Sequence, residues 1–169
     1  MAAEGVRIEL KADAALAALA RAYRQADNPR GLFDNIGMSL VVSTQARFDR
    51  GAGPDGSPWP PSLRAIAESG KTLIDSARLM QSITFEATDT GVAVGTNVIY
   101  AAVHQFGATI RPVKADKLRF RIGDRYVATD EVTIPARPFL GLDDDDEREI
   151  EAIAGDWLLG PKGLNDARR

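Results

Sequence analysis

The chain has a single histidine, His104, in the stretch YAAVHQFGATIRP from Tyr100 to Pro112. An imidazole can serve as a general base, ligate a metal or bridge two hydrogen-bonding groups. The first two roles need company: a triad requires a nucleophile and an orienting acid, and a metal site requires two or three further ligands. The Ala, Val, Gln and Phe around His104 supply none of these. The local sequence therefore points to a hydrogen-bonded structural histidine. There is no cysteine, which excludes disulfides, thiolate catalysis and zinc–cysteine sites.

Three other stretches resemble chemical motifs. GAGPDG (Gly51, Gly53, Gly56) spells the dinucleotide fingerprint, but that motif needs a strand before it and a helix N-terminus after it. Here a helical pattern precedes it and Ser-Pro-Trp-Pro-Pro follows, so it reads as a loop. AIAESGKT ends like a phosphate-binding loop, yet Ala65 stands where the first glycine is required. LDDDDEREIE (Leu142–Glu151) lacks the glycine that lets a calcium loop turn sharply. Its acids fit the first turn of a helix, where the macrodipole favours negative charge. A charged surface of an assembly is a second role for them. Neither a cofactor nor a metal is expected.

The elements that must position these residues follow from periodicity. Val6–Leu10 alternates like a short strand, and Leu16, Leu19, Ala20 and Tyr23 predict a helix to Ala26. Asn28 as cap and Pro29 as first residue open a longer helix to Arg50, with Phe33, Ile36, Leu40, Val41, Thr44 and Phe48 on one face. The Gly- and Pro-rich stretch from Gly51 to Ser62 predicts an ordered loop that packs Trp59. Leu63–Glu68 reads as a short helix, and TLIDSARLMQSI as helical to Ser82. From Ile83 the period becomes two. ITFEAT and VAVGT form a hairpin, and KLRFRIGDRYVATDEVTI a longer one around Gly-Asp, with Leu118, Phe120 and Ile122 alternating against Lys117, Arg119 and Arg121. Between them Asn97–Phe106 reads as a short helix. Pro135–Leu140 is extended, and Ile150, Ile153, Ala154, Trp157 and Leu158 mark a C-terminal helix. N-terminal helices followed by antiparallel hairpins, without βαβ alternation, give an α+β class. Residues 1–160 are expected to form one domain and 161–169 a flexible tail.

The 169 residues carry a net charge of −3, which argues against a general nucleic-acid binder. The charge is uneven: Asp143–Asp156 holds eight acids and one arginine, so the rest of the chain is net positive. No apolar run approaches a membrane span, and the N-terminus has no export pattern. The expectation is a soluble protein used without export.

In order, several segments resemble the phage virion morphogenesis family, the tail completion proteins of Mu-like and related tailed phages. They are PDGSPWPP, KTLIDSARLMQSI, DTGVAVGTNVIYAAVHQFGATI and IPARPFLGLDDDD. The similarity runs from about Leu32 to Leu158. It is carried most specifically by Trp59-Pro60, by Tyr100 with His104-Gln105-Phe106-Gly107, and by Pro135, Arg137, Pro138 and Phe139. The resemblance implies a non-enzymatic virion protein, assembled in the host bacterial cytoplasm. It would complete the tail at its head-proximal end and mediate joining to the head. It also implies a tail-terminator or neck-protein-like fold that closes into a ring, with itself, the tube protein and the neck or head–tail connector proteins as partners. DNA would only pass through the channel.

Within that resemblance Tyr100, Val103 and Phe106 are expected to pack inward. Gly107 should turn the chain, His104 should bond across the corner, and Arg137 should offer its fork to a carboxylate. Arg119, Arg121 and Arg125 of the second hairpin and Asp143, Asp144, Asp145 and Asp146 are candidates for meeting across subunits. The rival readings are a small phage hydrolase with His104 as base, for which no nucleophile motif is present, and another connector or DNA-contacting component.

Overall fold

The computed structural model describes residues 23, 24 and 26–159. The expected strand Val6–Leu10, most of the first helix and the tail 161–169 lie outside the described residues. Tyr23, Arg24 and Ala26 are helical, as expected for the end of that helix.

Helix α1 spans Arg30–Arg50, beginning one residue later than the periodicity placed it, with Pro29 as its cap residue. Its buried face carries Ile36, Gly37, Thr44, Arg47 and Phe48. Gly51 ends it in a left-handed conformation, its N–H returning to the Arg47 carbonyl at 2.8 Å. The loop to Ser62 is ordered and buries Trp59. Ser62 caps α2 (Leu63–Glu68) by accepting from the Ala65 N–H.

The helix expected through TLIDSARLMQSI is mostly absent: only α3, Arg78–Gln81, is helical. Leu73 and Ala77 are left-handed at φ 61° and 58°. Arg64 donates to the carbonyls of Lys71 and Ile74 at 2.7 and 2.8 Å. A side chain thus takes acceptors a helix would use for itself, while Leu73 and Ile74 turn in against the core.

Strands β1 (Thr84–Ala87) and β2 (Val92–Gly95) pair in the expected hairpin. Helix α4 is Ala101–Phe106, shorter than expected because residues 97–100 form its approach. Strand β3 (Ala108–Ile110) pairs with β6 (Val132–Ile134), which periodicity had placed in the second hairpin. That hairpin is confined to β4 (Leu118–Ile122) and β5 (Arg125–Thr129), and β4 contacts α2. Three residues a side are too few to declare a period of two, so the β3–β6 pairing was hidden in the sequence. Helix α5 (Asp144–Leu159) closes the described chain.

The class is α+β with a C-terminal helix. The described strands form three two-stranded antiparallel ribbons rather than one sheet. Helix α1 lies against the β1–β2 hairpin and against α5. Gly37 lets Phe85 lie directly on the helix, and Gly31 does the same for Trp157. The core gathers Phe48, Trp59, Leu79, Ile83, Val98, Ala101 and Phe139. The Phe48 ring stands 5.4 Å edge-on from Trp59 and 5.3 Å from Phe139, geometries that aromatic pairs favour.

Candidate functional site

The three segments that set this sequence apart meet in one place, around the extended stretch Arg137–Gly141. An extended segment inside a fold must find partners for every buried N–H and C=O. No described strand pairs with this one, and side chains take that part. Gln105, at the end of α4, accepts from the N–H groups of Phe139 and Leu140, both at 3.0 Å, and donates to the Leu140 carbonyl at 2.9 Å. The two N–H donors fix which end of the amide is oxygen. Trp59 donates its indole N–H to the Pro138 carbonyl at 2.9 Å. Arg47, wholly buried, donates to the carbonyls of Phe139 and Gly141 at 3.2 and 2.7 Å. The Arg137 N–H reaches the His104 carbonyl at 2.7 Å, and its Nε donates to the Pro60 carbonyl at 2.6 Å. Pro138, lacking an N–H, leaves no donor to satisfy.

Arg47 also binds the start of α5, pairing with Asp143 at 3.2 Å and with Asp146. Asp143 and Asp146 cap that helix reciprocally: Asp143 accepts from the Asp146 N–H at 2.9 Å and Asp146 from the Asp143 N–H at 3.1 Å. Burial pushes the Asp143 carboxyl up. The Asp146 N–H, Arg47 and Arg50 together outweigh it, and its pKa lies below the ordinary value. Arg47 therefore links α1, the extended segment and α5.

Several expectations change here. Phe106 does not pack inward; it is 78% exposed, and Tyr100 is 38% exposed. Helix α4 is a single short element whose buried side is taken by Ala101 and Gln105, so the larger aromatics face out. His104 does bond across the corner, but through its main-chain carbonyl. Its Nδ1 is buried without a partner, while Tyr100 stands edge-on to the ring at 5.8 Å. Gly107 turns the chain at φ 73° as expected. Arg137 holds no carboxylate of the described residues; its guanidinium goes to main-chain carbonyls.

Asp146 is 4% exposed and committed to Arg47, so it is an interior group rather than a subunit surface. Asp143 is likewise engaged, whereas Asp144 and Asp145 are exposed, Asp145 beside Arg148. Arg119, Arg121 and Arg125 are exposed on the β4–β5 hairpin. Arg121 pairs with Asp124 at 2.7 Å and lies over Tyr126. Pro135 is exposed at the end of β6.

Arg47 was missed by sequence reasoning, although two signals were present. It sits three residues after Thr44, inside the apolar stripe of α1, and Asp143 and Asp146 have capping spacing.

The hydrolase reading turns on the imidazole's surroundings. Ser62 and Ser76 border the same cleft, yet no hydroxyl or carboxylate among the described residues bonds the His104 ring. No cluster of potential metal ligands occurs among them either.

The model of the phage virion morphogenesis family matches residues 10–159. The chain is 43% identical over 81 residues to the Mu-like prophage FluMu G protein 2 of Haemophilus influenzae, covering 48% of this chain and 47% of that protein. It is 31% identical over 121 residues to the putative capsid assembly protein G of Escherichia phage Mu, covering 66% of this chain and 68% of that protein. The chain thus spans about half the length of the first relative and about two thirds of the second. No solved structure matches it. Family-model coverage includes every element described above, and the chain belongs to the phage virion morphogenesis family.

Proposed function

We propose that this chain is a non-enzymatic virion component that completes the tail of a tailed bacteriophage at its head-proximal end. There it forms a hexameric ring at the neck and joins tail to head. The observation that carries the reading is the state of the strands. Three separate two-stranded ribbons leave one edge of every described strand unpaired by any other described strand. Open edges invite pairing with another chain, and isolated hairpins are marginal on their own. Strand addition between neighbours satisfies both demands, and a head-to-tail contact closes into a ring when its rotation fits. The β4–β5 hairpin, with Arg119, Arg121, Arg125 and the 85% exposed Tyr126, is suited to be an inter-subunit arm. Asp144 and Asp145 are acids such an arm can meet. The tube protein and the connector proteins are the other partners, and DNA passes through without being held.

The experiment is complementation. A phage lacking this protein should accumulate DNA-filled heads and unjoined tails. Purified protein added to that lysate should restore infectivity in proportion to dose and without turnover. Empty or malformed heads beside normal tails would instead support head assembly, the role in the name of the phage Mu relative. Intact virions that infect badly would point to an enzyme acting at infection.

A further inference from the structure

Between α2, the bend from Leu73 to Leu79 and α4 lies a cleft of about 380 Å³. Two of its polar groups are only partly answered. Arg137 is 4% exposed, and no carboxylate of the described residues pairs with it. Its Nε and Nη2 go to main-chain carbonyls, and its Nη1 donates to none of the described residues. Buried charges are ordinarily paired, because an isolated one loses its hydration without return. Burial lowers the pKa of Arg137 in keeping with this. His104 is the second group, with Nδ1 buried and unbonded. Burial first, and then the Arg137 charge, hold the imidazole below its ordinary pKa.

The other charged groups that border the cleft do not answer them. Arg64 is already tied to the carbonyls of Lys71 and Ile74 and stands 3.7 Å from Asp75. Arg78 is exposed at the rim, and Leu73, Leu79 and Tyr100 line the walls.

We infer that this cleft is a carboxylate-binding site that receives an aspartate or glutamate side chain of a docking protein, held by Arg137, His104 and Arg78. Arg137 Nη1 and a neutral imidazole N–H supply donors, and Arg78 adds charge at the entrance. Apolar walls suit the methylenes of an acidic side chain. A nucleic-acid backbone suits the place poorly, because it presents a row of phosphates and needs a row of cations along an open groove, which a single cleft of this size does not offer.

The assembly reading enters only in making the docking protein a virion protein. The test uses the free chain, so its outcome is separate from ring formation. His104 is the sole histidine, so its ring resonances are an unambiguous NMR reporter. The probe is glutamate capped at both ends, titrated at constant ionic strength. The expected result is a saturable shift of the His104 resonances and a raised imidazole pKa, since a bound anion favours the charged form. Arg137→Gln should abolish the response. Arg78→Gln, a rim change that leaves the fold alone, should weaken it about two- to five-fold. Parallel titrations use inorganic phosphate and a short oligonucleotide. The inference is overturned by no saturation up to about 100 mM capped glutamate, by tighter binding of either phosphate probe, or by a response that Arg78→Gln leaves unchanged.

Discussion

Gln105→Ala tests whether the extended segment is held by side chains, as the geometry says. The substitution removes three hydrogen bonds at once: from the N–H groups of Phe139 and Leu140, and to the Leu140 carbonyl. Phe139 is wholly buried and Leu140 half-buried, so water replaces these partners poorly. At about 0.5–1.5 kcal/mol per net bond, the loss is about 1.5–4.5 kcal/mol. For a domain of this size each kcal/mol moves Tm by about 2–4 °C, so a fall of roughly 3–18 °C is expected. Denaturant unfolding followed by circular dichroism gives the free energy. Trp59 fluorescence, read in a Trp157→Phe background, gives the place, because its indole bonds Pro138 in the same segment and should become more mobile and more solvent-exposed. Gln105→Glu separates bonding from packing. It keeps the acceptor oxygens but faces the Leu140 carbonyl with no donor, so it should also destabilise. A Gln105→Ala protein within about 0.5 kcal/mol of wild type, with unchanged Trp59 emission, would refute the reasoning.

Four further outcomes are expected. Arg47→Met should destabilise by about 3–5 kcal/mol in chemical unfolding, because it strands the buried Asp146 carboxylate. The depressed Asp143 pKa contributes stability that is present above the ordinary carboxylate pKa and is lost as pH falls through the folded value; acid unfolding of Asp143→Asn should lack that dependence. Gly107→Ala should cost at least about 2 kcal/mol, since φ is 73° and a Cβ would stand 2.9 Å from the Ala136 nitrogen and 3.0 Å from the Ile134 oxygen; equal stability by thermal melt would contradict it. Replacing Arg119, Arg121 and Arg125 with glutamate should leave circular dichroism unchanged but impair restoration in the lysate assay; full restoration at any salt concentration would dismiss the arm.

The sequence alone determined what local physics dictates. The period of α1, the Gly-Pro loop that must bury Trp59, the β1–β2 and β4–β5 hairpins and the amphipathic α5 all follow from spacing and turn residues. The co-occurrence of WP, HQFG and PARPFL also marked the family. Spacing could not tell why those three motifs travel together. Gln105, Trp59 and the Arg137 main chain are far apart in sequence, and only folding brings them onto one segment. Tertiary contacts also overrode local preference. Arg64 unwound the helix expected before Arg78 by taking its carbonyls, and Ala108–Ile110 became a strand only because Val132–Ile134 lay beside it. The acids at Asp143 and Asp146 looked like a solvated helix start, because their partner Arg47 lies nearly a hundred residues earlier. A charge that far away leaves no trace in local composition. It is fixed only when α1 and α5 pack together, and the ion pair is then sealed from water.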